Sequence, residues 1–264
     1  MASIKFADLP EQDQSEYLCI QACKEDKKNF LSIKNRRRFT DNDNFWREIL
    51  QNDGMRLCYY INYTSIDGKQ FNDELIKIAL KQNTESIKYL NINQQTEEYW
   101  ILVVSINGLE LQWCNNETLA ICEAAIKQNP KAIQFARKFQ NNEMAMNAVK
   151  YDGLLIQYIH DITLQIAMEA VKQNGDALFI IFERLNRYKW INDYNLKSPC
   201  CKYVIYGSCI NISFEIYEMA VNHNIDILKS NTLYGIKYYE FRNKYCEKYD
   251  IEFEEEENSF GLFD

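Results

Sequence analysis

The stretch Ala170 to Leu178, AVKQNGDAL, decides the fold, because with small changes it recurs along most of the chain. Read outward from its Asn, the pattern is a small residue four back, an apolar residue three back and an apolar residue four on. Eight places fit, anchored at Asp26, Asp53, Asn83, Asn107, Asn129, Asp152, Asn174 and Asn224. Between Asn83 and Asn174 the steps are 24, 22, 23 and 22 residues, a regularity that signals stacked supersecondary units.

Each unit reads as two short helices meeting at the anchor. From Glu117 to Arg137, apolar residues fall at Leu119, Cys122, Ala125 and Ile126, then at Ile133, Phe135 and Ala136, which is helical spacing on either side of a break. The break is Asn129-Pro130. Proline suits a first helical position because its missing N–H would have no partner there, and the Asn before it can cap the free amides. Glycine follows four other anchors, as Gly54, Gly108, Gly153 and Gly175, and is expected to supply a left-handed conformation between the helices. The residue four back is Ala22, Ala79, Ala125, Ala148, Ala170 or Ala220, with Ile49 and Val103 as exceptions, and marks a close crossing of helices. The residue four on is Phe30, Leu57, Ile87, Leu111, Ile133, Ile156, Leu178 or Leu228, a core position. Lys24, Lys81, Lys127, Lys150 and Lys172 stand two before their anchors, where the helix dipole favours a cation.

The units, with lead-ins such as LPEQDQSEYLCIQACKED (Leu9 to Asp26) and TEEYWILVVSING (Thr96 to Gly108), resemble the tandem repeats of the family called domain of unknown function 4116. The resemblance covers roughly Leu9 to Leu185 and is strongest in the middle units. It implies short all-α repeats of the kind found in secreted effectors of intracellular bacteria and in giant viruses. It implies no activity and carries over no catalytic residue.

The expected fold is therefore all-α: a right-handed stack of short helical hairpins, an α-solenoid with a repeat of roughly 22–24 residues and an irregular C-terminal cap. The expected organisation is a repeat array over 1–185, a degenerate repeat and helical cap over 186–250, and an acidic tail over 251–264. A degenerate unit is expected around Lys202 to Phe214. The tail IEFEEEENSFGLFD groups like charges that disfavour compact structure.

A net charge of −8 argues against a general nucleic-acid binder. No apolar run is long enough to span a bilayer, and MASIKFADLPEQDQ lacks the apolar stretch of a signal peptide, so a cytoplasmic protein is expected, in a host cell if it is an effector. The nine cysteines include no C-x-x-C pair and only two histidines could assist them, so no metal site and no cofactor are expected. Cys23, Cys58, Cys114 and Cys122 read as small packed hydrophobes.

Two groups are candidates for binding. Tyr59, Tyr89, Trp113, Phe135 and Tyr158 all stand six after an anchor, at the margin of the buried face. Such rings either fill the contact between successive units, the commoner outcome, or line an exposed groove that holds a protein partner. Arg36, Arg37 and Arg38 form a basic run with Lys27, Lys28 and Lys34. It reads as a localisation signal or phosphate patch, or more simply as a solvated loop. Ile61 to Asp73 reads as a long loop turning at Asp67-Gly68. His160-Asp161 lacks a supporting nucleophile and reads as a turn, with Asp161 capping the next helix. His223 reads as a surface polar residue in the place of Gln82, Gln128 and Gln173. The leading expectation is a non-catalytic interaction module for a host protein. The alternative is an enzyme whose Cys200, Cys201 and His223 meet as nucleophile and base.

Overall fold

The structure, a computed structural model, describes residues 5–181, 183–184, 204–205, 208–209, 220–222 and 247. The chain divides into two compact units, Met1–Phe139 and Gln140–Asp264. Apart from one short hairpin, the described residues contain no strand.

Helices α1 (Glu16–Glu25), α2 (Asp43–Asn52), α3 (Leu57–Ile66), α4 (Asp73–Gln82), α5 (Glu97–Ile106) and α6 (Leu119–Gln128) lie in the first unit. Helices α7 (Asn142–Tyr151) and α8 (Leu164–Gln173) lie in the second. All except α3 share one construction. Eleven residues before the anchor stands a cap, Ser15, Asn42, Asn72, Thr96, Thr118, Asn141 or Thr163, whose side chain accepts a first-turn N–H. After ten helical residues the helix ends on the anchor, whose own N–H still donates to the carbonyl four back, as Asn129 does to Ala125. The anchor backbone then turns extended, with φ of −145° and ψ of 107° at Asn129, and its side chain accepts the N–H two residues on. One Asn or Asp thus closes one helix and opens the next, because a short carbonyl or carboxylate side chain reaches its own downstream amides.

The second segment of most units is not α-helical as the spacing suggested. Lys27–Ser32, Thr84–Tyr89, Gly108–Trp113, Pro130–Phe135 and Gly153–Tyr158 are 3-10 helices of six residues. After Asp53 a 3-10 turn, Gly54–Arg56, passes into α3 instead, and residues 177–181 are also α-helical. Helix α3 runs to Ile66, so the loop expected from Ile61 begins only at Asp67. The turn there is real, with Gly68 at φ 66°. Asp161 is exposed and caps nothing, since Thr163 holds that role for α8.

The glycines after the anchors do not adopt the expected conformation. Gly68 is the one positive-φ glycine among the described residues. Gly54, Gly108 and Gly153 are needed for space: a Cβ on each would lie under 3.0 Å from the backbone carbonyl oxygen of Ala79, Ala125 or Ala170 in the following unit. The Ala four before the anchor and the Gly one after it are two halves of one close approach. In each of these pairs the neighbouring anchor is preceded by glutamine, whose Oε1 accepts the Gly N–H: Gln82 from Gly54 at 2.6 Å, Gln128 from Gly108 at 2.7 Å and Gln173 from Gly153 at 2.5 Å. The same amides donate back to the carbonyls of Asn52, Ile106 and Tyr151. These glutamines are bridges between units, not surface fillers.

In the first unit, α1, α2, α4, α5 and α6 pack each against the next, and among the intervening segments Thr84–Tyr89 packs on α3 and Pro130–Phe135 on Gly108–Trp113. From α2 onward the buried helix positions, α3 aside, are eight, seven, four and three before the anchor, as in Leu75, Ile76, Ala79 and Leu80. All seven described residues four after an anchor are buried, from Phe30 to Leu178. So are those seven after it: Ile33, Tyr60, Leu90, Cys114, Ala136, Ile159 and Ile181. A further residue, twelve before the anchor, ties segments together. Gln14 accepts the Lys34 N–H at 2.7 Å, Glu117 the Arg137 N–H at 3.0 Å and Gln140 the His160 N–H at 2.9 Å.

Val204–Ile205 pairs antiparallel with Ser208–Cys209, within the stretch expected to hold a degenerate helical unit. Apart from residues 220–222 and 247, the rest of the expected cap and the acidic tail lie outside the described residues, as do Asn224 and Leu228. Ala220 and Val221 are helical and buried, like the other residues four and three before an anchor.

Candidate interaction surface

The residue six after the anchor ends the 3-10 segment at Tyr89, Trp113, Phe135 and Tyr158, between the buried positions four and seven after it, whereas Tyr59 lies within α3. The five rings named from the sequence divide accordingly. Trp113 is 66 % exposed and Tyr158 37 % exposed, while Tyr59, Tyr89 and Phe135 are half-buried. The commoner outcome, complete burial between units, does not apply to Trp113. Its backbone is held by Leu111 and Cys114, which are buried on either side, so the indole is carried on a fixed segment. Tyr59 belongs to an aromatic cluster instead, 5.1 Å from Phe30 and 6.2 Å from Tyr63 between ring centroids. Lys88 lies over the Tyr89 ring at 5.6 Å.

Arg36, Arg37 and Arg38 form a 3-10 turn, Arg36–Phe39, entered through Asn35 at φ 48°. Arg36 donates to the carbonyls of Leu31 at 2.9 Å and Ile33 at 3.0 Å, and its guanidinium lies 5.6 Å from the Phe30 and Tyr59 ring centroids. Arg37 pairs with Asp67 at 2.6 Å. Arg38 donates to the Gln14 carbonyl, lies over the Phe39 ring at 4.7 Å and faces Glu11 at 3.6 Å. Planar guanidinium donors suit this bridging of carbonyls and rings, and here they tie Glu11 and Gln14, the Phe30 to Ile33 stretch and the C-terminal half of α3 together. Arg37 and Arg38 are exposed, as the solvated reading expects, but the run is a hydrogen-bonded 3-10 turn rather than a plain loop.

The longer spacing around Asp53 leaves room for a feature that sequence reasoning missed. Between the start of α2, helix α3 and the loop after it lies a polar pocket of ≈ 400 Å³, lined by Asp41, Asp43, Tyr60, Thr64, Lys69 and Asn72 among others. Its polar groups largely satisfy one another: Lys69 pairs with Asp41, Asn72 donates to Asp43 at 2.7 Å, and the Asn72 N–H donates to the Tyr60 hydroxyl at 2.8 Å. The only sequence signal was the stretch of the steps to 27 and 30 residues.

The five described thiols are not poised as nucleophiles. Cys19, Cys23, Cys114 and Cys122 are buried free thiols and Cys58 is half-buried. Burial pushes Cys23 and Cys122 up to about 12 and Cys114 to about 11, so none is a thiolate at neutral pH. No group of three metal-ligating side chains occurs among the described residues. His160 sits in a turn, its backbone N–H bound to Gln140. Cys200, Cys201 and His223 lie outside the described residues. No described helix is long and apolar enough to cross a membrane.

The unit from Asn141 through α7, its 3-10 segment and α8 is also where comparison with known families succeeds. Residues 141–186 match the model of the domain of unknown function (DUF4116). The DUF4116 match starts on the cap of α7 and takes in two anchors, Asp152 and Asn174. It covers the C-terminal end of the wider range over which the sequence resembles that family. DUF4116 brings no assigned chemistry to any residue. No curated protein and no solved structure matches the chain.

Proposed function

We propose that the chain is a non-catalytic interaction module. In this reading its units form a right-handed α-solenoid with a repeat of roughly 22–24 residues, and the margin of the 3-10 row receives a protein partner. The observation that carries the reading is Trp113. A side chain with about 200 Å² of mostly apolar area, held two-thirds exposed on a fixed segment, offers a partner a large surface to bury, and Trp is among the residues that most often dominate interface energies. Repeat scaffolds bind along such surfaces, because each unit presents the same position to solvent. Tyr89 and Phe135 occupy the same position in the neighbouring units of the first compact unit.

The test is capture of a partner from host-cell lysate by the intact protein and by a Trp113→Ala variant whose circular dichroism is unchanged. A partner lost at least tenfold from the variant supports the reading. Equal capture by both proteins removes Trp113 and the stripe from the binding site.

A further inference from the structure

The Gln–Gly bridges are not found at every junction, and their distribution divides the array. They join the Asp53 unit to the Asn83 unit, the Asn107 unit to the Asn129 unit, and the Asp152 unit to the Asn174 unit. The alternate junctions lack both halves. After Asn83 stands Thr84, and the residue before the next anchor is Ile106, with no acceptor. After Asn129 stands Pro130, with no N–H, and the residue before the next anchor is Tyr151. After Asp26 stands Lys27, and the residue before the next anchor is Asn52, whose side-chain amide donates to the Cys23 carbonyl at 2.7 Å. Between the Asn83 and Asn107 units the polar links are the Thr84 hydroxyl to Glu110 at 3.4 Å, the Tyr99 hydroxyl to Asp73 at 2.5 Å and Lys77 to Glu98 at 2.5 Å, side-chain contacts of which none satisfies the backbone amide that opens a 3-10 segment.

Packing follows the same alternation. The pairs α2 with α4, α5 with α6 and α7 with α8 pack more extensively than α1 with α2 or α4 with α5. At the bridged junctions the Gly backbone abuts the Ala carbonyl of the next helix, which a side chain at Lys27 or Thr84 would forbid. Each bridge satisfies a backbone amide that is otherwise an orphan of the 3-10 start, and does so only if both units are in place.

We propose that the repeats act as locked pairs: the first compact unit holds the pair anchored at Asp53 and Asn83 and the pair anchored at Asn107 and Asn129, and it opens between them, at the junction of α4 with α5. Stability in stacked repeats is a sum of unit and interface terms, so alternating strong and weak interfaces give cooperative blocks of two. The boundary at Phe139 and Gln140 also falls between locked pairs in the sequence. The device rests on hydrogen bonds within the chain and holds whatever partner binds.

Residue-resolved amide exchange on the full chain tests it. The amides of Gly54 and Gly108 should exchange at least tenfold more slowly than that of Thr84. With rising urea, α2 and α4 should lose protection together, and α5 and α6 together at a different concentration. Gln82→Leu should speed exchange at Gly54 at least tenfold and leave Gly108 within twofold. The double variant Thr84→Gly with Ile106→Gln should install a bridge, merging α4 and α5 into one block and slowing the amide at position 84 at least tenfold. If α4 and α5 already open as one in the natural protein, or if the double variant leaves them separate, the proposal is overturned. The double variant decides the matter even if Gln82→Leu fails to fold.

Discussion

Replacing Gly108 with alanine isolates the close approach between units. The added Cβ would lie under 3.0 Å from the Ala125 carbonyl oxygen and 2.9 Å from Gln128 Oε1. The carbonyl belongs to a helix backbone and accepts the Asn129 N–H at 2.8 Å, so it cannot swing aside as a side chain would. Overpacking of this kind costs about 1–3 kcal/mol. The displaced Gln128 also weakens its 2.7 Å bond to the Gly108 N–H, leaving a partly buried amide short of a partner, about 1 kcal/mol more. Against this, alanine loses less entropy on folding, about 0.4–1 kcal/mol, because φ here is not positive. The net expectation is a loss of about 1–3.5 kcal/mol, within the range of core substitutions. Urea unfolding followed by far-ultraviolet circular dichroism measures it. Gly68→Ala is the control: Gly68 sits at φ 66° with nothing within 4 Å, so its cost is conformational alone, about 1 kcal/mol. If Gly108→Ala is neutral, or costs less than Gly68→Ala, the glycines are not there to let the units meet.

Three further outcomes follow from other parts of the fold. Asn83→Ala removes the acceptor for the Glu85 N–H at 3.0 Å and should cost about 1 kcal/mol in the same urea assay, while Asn83→Asp, which keeps an acceptor, should cost less than half as much. Trp113→Ala should change stability by less than about 0.5 kcal/mol, whereas Trp46→Ala, at a site with no exposure, should cost about 3–5 kcal/mol; equal losses would place Trp113 in the core after all. The raised thiols make stability fall in alkali. Unfolded thiols ionise near 9, while native Cys23 and Cys122 hold their protons to about 12, so ionisation favours the unfolded chain. The full contribution is present below pH 9 and is lost as pH rises toward 12, which the urea midpoint measured from pH 8 to 11 should show. A Cys23→Ala, Cys122→Ala variant should have the shallower slope.

The family resemblance, the helical class, the anchors and the core positions four and three before and four after them were legible in the sequence, because capping chemistry and helical burial are local. An Asn that must accept its own downstream amide needs only its neighbours in the chain, and so Asn129 could be assigned as a cap from the sequence alone. What lay beyond reach was whatever depends on the next unit. Gly54, Gly108 and Gly153 looked like conformational glycines, since a residue after a helix end more often needs positive φ than empty space. Gln82, Gln128 and Gln173 looked like surface polar residues, since nothing in one unit reveals the amide they meet in another. The 3-10 winding of the second segment shares its apolar spacing with an α-helix over so few residues that period could not separate them. The exposure of Trp113 and the engagement of Arg36 to Arg38 were likewise settled by tertiary neighbours. Local hydrogen bonds are written in one stretch of sequence, whereas close approach, burial and the pairing of units depend on which surface arrives from elsewhere in the chain.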